Sequence, residues 1–175
     1  MRTRGSGNIK SVYKNYIGID PGKTGAICCI DIYEKCLYEK TPTLQTGKKK
    51  DYDISAMVEL LENYINTCEN SVLIMIEKVH AMPGQGVTSM FNFGMGYGIW
   101  QGIIAALKTP FEFVTPQKWK KVMMEGFPKE KSASILRVKQ IYPQLGALKG
   151  SDNGIADAIL IARYGMNKYL LENKM

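Results

Sequence analysis

Tyr16-Ile17-Gly18-Ile19-Asp20-Pro21-Gly22-Lys23-Thr24-Gly25 is the stretch from which the fold can be read. Its first half is a short apolar strand that ends on an acid. Its second half, from Pro21 to Gly25, is turn chemistry. Ala26 to Tyr33 resumes as a β run, and Lys35 to Thr41 is spaced to return beside it as a hairpin partner.

Outward from this hairpin, helices and strands alternate. Asp53 to Thr67 carries apolar residues at 54, 57, 58, 61, 64 and 65, which is helical spacing. Val72-Leu73-Ile74-Met75-Ile76 is a continuous apolar run, the pattern of a central buried strand, and it ends in Glu77. Lys78 to Gly86 reads as a loop, Thr88 to Leu107 as a long helix apolar almost all round, and Phe111 to Val114 as another strand. Thr115-Pro116 supplies an N-cap with proline at the first helical position, opening a short helix through Trp119. Glu130 to Tyr142 is helical and stops before Pro143. Asp152 to Leu171 forms the last helix. This order predicts an α/β fold with a mixed sheet flanked by helices.

A chain of 175 residues is the size of one domain with a real core. We divide it into a basic, flexible N-terminal arm at residues 1–14 and a folded domain at 15–175. Lys and Arg number 23 against 16 Asp and Glu, a net charge of +7 that suits a polyanionic partner. Cys28, Cys29, Cys36 and Cys68 include no C-x-x-C pair and read as reduced, which points to an intracellular protein. Cys28 and Cys29, adjacent in a strand, should face opposite sides of the sheet. The N-terminal residues lack the apolar region of a secretory signal, although two arginines leave a short organellar presequence open. No apolar run reaches the ~18 residues of a membrane span. Gly47-Lys48-Lys49-Lys50 reads as a solvated loop.

Three acids stand at the ends of apolar elements: Asp20, Glu77, and Asp157 in the first turns of the last helix. In open α/β sheets, sites gather at the carboxyl ends of strands. Carboxylates gathered there repel one another unless a cation holds them. Oxygen-only ligands suit Mg²⁺ or Mn²⁺, and two such ions about 4 Å apart serve phosphodiester cleavage. An acid at a strand end is commonly a solvated turn residue. That reading is weaker for Asp157, flanked by Ile155, Ala156, Ala158 and Ile159. The only histidine is His80, which excludes a His-rich zinc site.

Ile17 to Gly25 resembles the opening of the RuvC-type Holliday junction resolvases. Ile76-Glu77-Lys78-Val79-His80 resembles their second acidic motif, and Gly154 to Ala162 their closing helix. Phe93-Gly94-Met95-Gly96-Tyr97-Gly98 and Val114-Thr115-Pro116-Gln117-Lys118-Trp119 look like the phage and organellar branch. The resemblance spans residues 16 to 165. It implies an RNase H-like fold, a homodimer, two Mg²⁺ or Mn²⁺ ions per site, and paired symmetric nicks in a four-way DNA junction. It carries Asp20, Glu77 and Asp157 over as catalytic metal ligands. One departure stands out: the family's fourth ligand, Asp or His, lies three or four positions before the last acid, where this chain has Gly154 and Asn153. We expect Asp152, one step further back, to be the fourth catalytic ligand, with the Asn153 amide as a weaker substitute. A helix that begins near residue 153 would leave Asp152 free to turn towards Glu77.

DNA contacts are expected from Lys23, Lys118, Lys120, Lys121, Lys129 and Lys131, each of which could equally be a solvated lysine. His80, three residues past Glu77, is a candidate to stack on an unpaired base or an ordinary loop histidine. Phe91 and Phe93 are similar candidates, with core packing the commoner reading, and Trp119 reads as core. Gly94, Gly98 and Gly102 line one helix face and fit either packing within the chain or a dimer seam. Two rival readings remain. Asp20-Pro21-Gly22-Lys23-Thr24 also fits the D-x-G-x-T phosphate loop of the actin, Hsp70 and sugar-kinase group, although this length cannot supply that group's two domains. A nucleic-acid binding module with an impaired site is the other, kept open by Asn153.

Overall fold

The computed structural model describes residues 13–171 apart from 70, 79, 81–83, 85, 129, 131 and 147. A five-stranded sheet is built from β1 (Asn15–Asp20), β2 (Ala26–Asp31), β3 (Cys36–Lys40), β6 (Val72–Glu77) and β7 (Phe111–Val114). Its order is β3-β2-β1-β6-β7. β2 runs antiparallel to β1 and β3, whereas β1, β6 and β7 are mutually parallel. The expected mixed sheet is therefore present, with the hairpin at one edge and the crossover strands at the other.

Alternation along the strands assigns the two faces. Ile17, Ile19, Ile27, Ile74 and Ile76 pack against α1 (Ile54–Thr67) and α2 (Val87–Ala106). Tyr16, Ala26, Cys28, Leu73 and Met75 pack against α3 (Pro116–Met123), α4 (Ala133–Ile141) and α5 (Asn153–Leu171). Cys28 and Cys29 fall on opposite faces, as a period of two requires, and all four cysteines are free. α5 is the most deeply buried helix, with Ala156, Ala158, Ile159, Leu160, Ile161 and Ala162 all fully enclosed. Each large apolar side chain buried in this way contributes about 1.5–3 kcal/mol.

Gly18 explains how closely α5 approaches the sheet. A Cβ at this position would collide with the backbone of Ala158 and Ala162. A second close approach occurs at Gly96 in α2, where a Cβ would strike Tyr52 and the Pro21 carbonyl. The Gly94, Gly98 and Gly102 face, by contrast, has nothing within 4 Å of any added Cβ. Among the described residues, then, no packing within the chain uses those three glycines.

Three local expectations need correction. Gly47 to Lys50 is not an open loop: β4 (Thr43–Thr46) and β5 (Lys49–Tyr52) form a separate hairpin joined through Gly47 at φ +63°. Its strands are mostly exposed and polar, so they lack an apolar alternation by which to recognise them. α3 continues to Met123 because Trp119 and Met123 share its buried face, and α4 begins only at Ala133. The chain is also fixed earlier than the expected arm boundary. The Lys14 N–H donates to the Ser71 carbonyl at 3.2 Å, and the Ile32 N–H donates to the Lys14 carbonyl at 3.0 Å. The rest of the arm, residues 1–12, lies outside the described residues. No helix among the described residues is long and apolar enough to cross a membrane.

Candidate functional site

Strand parity brings the acids together. Along β1, Tyr16 and Gly18 face α5, and Asp20 is next in that series. Along β6, Leu73 and Met75 face α5, and Glu77 is next. Ile19 pairs with Ile76 in parallel register, so Asp20 and Glu77 end neighbouring strands side by side. Asp157, on the first turns of α5, completes the group. All three line one cleft of about 450 Å³, together with Lys23, Tyr52 and Phe93.

This cleft is hostile to three negative charges. Burial, and then the charges of Glu77 and Asp157, push the Asp20 carboxyl up to about 8, against the pull of the Gly22 N–H and Lys120. Burial raises Glu77, and Asp157 adds to the effect, while the hydrogen bond from Trp119 and the charges of Lys120 and His80 oppose it. Burial likewise raises Asp157, opposed by the Ser134 hydroxyl and Lys120. Lys120 is the cation common to all three. Asp157 Oδ1 is buried without a hydrogen-bond partner. Mutually repelling carboxylates with an orphaned oxygen are the donor set that a hard divalent cation satisfies. Among the described residues, no three acidic, histidine or cysteine side chains already stand at metal-ligand separations. The cleft thus supplies the right donors in an open arrangement.

Asp152 is not brought to the cleft. α5 does begin at Asn153, which leaves Asp152 in the preceding loop, but its carboxylate turns away. Oδ1 pairs with Lys40 Nζ at 2.8 Å, and Oδ2 accepts the Lys149 N–H at 2.9 Å. The Lys40 hydrogen bond and that N–H lower its pKa. Asn153 stands one turn before Asp157. Its Nδ2 donates to the Gly150 carbonyl at 3.0 Å, and its Oδ1 is buried without a partner. The expectation that a free Asp152 would turn towards Glu77 overlooked Lys40, a cation on β3 with no sequence signal linking it to residue 152.

The basic residues divide. Lys23 lines the cleft, but its ammonium is held internally by the Lys50 carbonyl at 2.6 Å and by Asp51 Oδ1 and Asn92 Oδ1, each at 3.2 Å. An ammonium has three protons to donate, so none remains for a phosphate in this arrangement. Lys118 is exposed and acts on Glu112 at the sheet edge instead. Lys120 acts on all three acids and, with Lys121, borders an adjoining cavity. Lys129 and Lys131 lie outside the described residues. His80 is exposed, and its charge reaches Glu77. The core reading fails for Phe91, which is 70% exposed, and for Phe93, which stands in the cleft wall.

Two contributors carried no recognised signal. Trp119 is core, as expected, yet its indole Nε1 donates to Glu77 Oε1 at 2.8 Å. Ser134 is buried at the start of α4 and bears on Asp157. The short Thr115-capped helix was legible, but neither the direction of its indole nor the partner of the Ser134 hydroxyl is encoded in periodicity.

No protein-family model matches the chain, and no curated protein sequence matches it significantly. Solved structures do. The chain superposes on T. thermophilus RuvC in complex with a Holliday junction substrate with a TM-score of 0.61 at 15% identity, covering 92% of this chain and 98% of that one. A second structure of Thermus thermophilus RuvC gives 0.59 at 15% identity, covering 91% and 97%. The yeast mitochondrial Holliday junction resolvase Ydc2 gives 0.53 at 17% identity, covering 93% and 81%. The order of strands, the helices on both faces and these superpositions agree: this chain has the RNase H-like fold of the RuvC-type resolvases.

Proposed function

We propose that the protein is a structure-specific endonuclease that resolves four-way DNA junctions by metal-dependent hydrolysis, acting as a homodimer that places paired symmetric nicks. The observation that carries this reading is the meeting of Asp20, Glu77 and Asp157 in one cleft at the carboxyl ends of β1 and β6. The similar structures support its substrate class: one is of RuvC in complex with a Holliday junction substrate, and another is of the yeast mitochondrial Holliday junction resolvase.

Asp20, Glu77 and Asp157 would hold Mg²⁺ or Mn²⁺, two ions per site, with the Asn153 amide oxygen nearer to a supporting role than Asp152. Bound there, the ions supply water activation and stabilisation of the leaving oxygen. The chain's own groups prepare the site. Trp119 fixes one oxygen of Glu77 and leaves the other for a cation. Lys120 offers positive charge at the mouth, where a phosphate would enter. Phe91 and Val87 lie one turn apart and are 70% and 80% exposed, an apolar pair suited to stacking against unpaired bases. A two-fold junction is matched by a two-fold protein. The unobstructed Gly94, Gly98 and Gly102 face of α2 is the surface we assign to that seam.

The test is purified protein with Mg²⁺ or Mn²⁺ on an end-labelled four-way junction beside linear duplex of the same sequence. Symmetric nicks in opposite strands of the junction, with the duplex intact, are expected. Equal cutting of both substrates, or of neither, sinks the proposal.

A further inference from the structure

A second cavity of about 530 Å³ lies between α3 and α4. Two of its lining residues reach the acids of the neighbouring cleft: the Lys120 charge acts on all three carboxylates, and Ser134 hydrogen-bonds Asp157. Its size is that of a small-ligand site rather than a packing defect. Its walls divide by chemistry. Met124 and Phe127 are apolar, Gln117 and Glu130 carry acceptor oxygens, and Lys120 with Lys121 form a cationic border.

The Phe127 ring is braced. The Arg137 guanidinium lies over it at 5.1 Å from the centroid, and Arg137 is itself anchored by Nε to the Met123 carbonyl at 2.8 Å and Nη1 to Gln140 at 2.7 Å. A ring held in this way is ready for stacking without further ordering. One aromatic ring beside Met124, edge acceptors and an ammonium border together match a nucleotide: the Phe127 ring for the base, acceptors for its amino group, cations for its phosphate.

The geometry points to a base-recognition pocket that takes the base of a nucleotide flanking the scissile phosphate, favouring the amino-bearing bases cytosine, adenine and guanine over thymine. The preference follows from the acceptors. A carboxylate accepts from the cytosine amino group, and a glutamine amide pairs with adenine, whereas thymine offers a carbonyl oxygen to the Glu130 carboxylate. Such a pocket would make cleavage depend on base identity near the nick. This inference rests on the proposed nuclease reading for its position on DNA, but not for the binding itself.

The probe is therefore the free nucleotide. Protein with labelled methyl groups is titrated with 5′-dCMP, 5′-dAMP and 5′-dTMP, following the Met124 and Ala133 methyl resonances. We expect dCMP and dAMP to shift both at millimolar concentration, with dTMP weaker by about fivefold or more. Phe127→Ala should remove the response. Glu130→Gln, which keeps shape and packing, should narrow the difference between dCMP and dTMP even if Phe127→Ala proves unstable. Equal responses to all three nucleotides, or no shift at these methyl groups, overturns the inference whether or not the protein cuts junctions. On junctions with permuted bases around the crossover, wild type should select sites by base, and Glu130→Gln should redistribute them. Unchanged site selection in Glu130→Gln counts against the pocket alone, whereas absence of junction cutting counts against the nuclease reading alone.

Discussion

Trp119 Nε1 donates to Glu77 Oε1 at 2.8 Å, linking the first helix after β7 to the end of β6, with both side chains buried. The indole has one proton to give and no capacity to accept, so it fixes which Glu77 oxygen is occupied. Trp119→Phe keeps most of the ring and removes that donor. We expect about 1–3 kcal/mol of lost stability from the unsatisfied carboxylate, and Mn²⁺ affinity weaker by about 10- to 100-fold. Calorimetric Mn²⁺ titration measures the second effect apart from the first. Wild-type affinity in a folded Trp119→Phe protein would refute the positioning role.

Neutralising any one of Asp20, Glu77 and Asp157, to Asn or Gln, should separate cutting from binding. Groups that merely orient a metal ligand are worth about 10- to 100-fold, so losing a ligand should reduce cleavage by more than about a hundredfold. Junction affinity should stay level or rise, because one repulsive charge is gone. Electrophoretic binding and single-turnover cleavage on the same junction check both halves. An Asp20→Asn protein that cuts at near wild-type rate ends the assignment.

The raised Asp20 carboxyl makes stability depend on pH in an unusual direction. Between the ordinary value of 3.8 and about 8, the folded state keeps a proton that the unfolded state releases. Stability should therefore fall as pH rises across this window and level off above it. The amplitude is on the order of a few kcal/mol, shared among coupled acids. Thermal unfolding without divalent ions should show Tm falling from pH 5 to pH 8, and Asp20→Asn should flatten the slope. Added Mn²⁺ should raise Tm most at the upper end, where the acids are ionised. A Tm in ion-free buffer that climbs with pH over this range contradicts the cleft electrostatics.

Asp152 and Asn153 can be told apart by exchange. Asp152→Asn loses the ion pair to Lys40, and we expect cleavage within about threefold of wild type and a stability change below about 1 kcal/mol. Asn153→Asp places a carboxylate where an amide oxygen is buried without a partner, one turn from Asp157. Cleavage at low Mg²⁺ should rise. If Asp152→Asn instead abolishes cutting while Asn153→Asp is silent, the carboxylate at 152 must leave Lys40 and enter the cleft in the working complex.

Gly98→Leu tests the seam with little risk to the fold, since an added Cβ there meets nothing within 4 Å. Wild type should scatter light as a dimer and Gly98→Leu as a monomer, with matching circular dichroism. Gly96→Ala is the contrasting variant: its Cβ would strike Tyr52 and the Pro21 carbonyl, so it should lose helicity or stability outright. A wild-type monomer, both free and on DNA, removes the symmetric-dimer proposal.

Most of the sheet was legible because its strands are apolar and bounded by acids or turns. β1, β6 and β7 were placed to within a residue or two, and parity along β1 and β6 is what turns two strand-end acids into neighbours. The β4–β5 hairpin was not legible, since its stability rests on Lys23, Asp51 and Asn92, polar partners scattered through the sequence. Regular spacing did not show which glycines pack within the chain. The conspicuous i, i+4 series is exposed, and the glycine that α2 cannot lose, Gly96, lies off that series. The surroundings of Asp152 were not legible either: the preference for a carboxylate ligand over an amide says nothing about a lysine on a distant strand.

The absent methyl at Gly18 acts as a calliper for chemistry it never touches. Because nothing projects there, α5 can rest its Ala158 and Ala162 backbone directly on β1, and the same contact sets the reach between Asp20 and Asp157. A single methyl group at position 18 would wedge helix from strand and widen that reach while leaving every carboxylate in place. The gap between the acids is thus written partly in residue volume beneath the helix, and a chain of this fold could lose the proposed cleavage with its full set of acids intact.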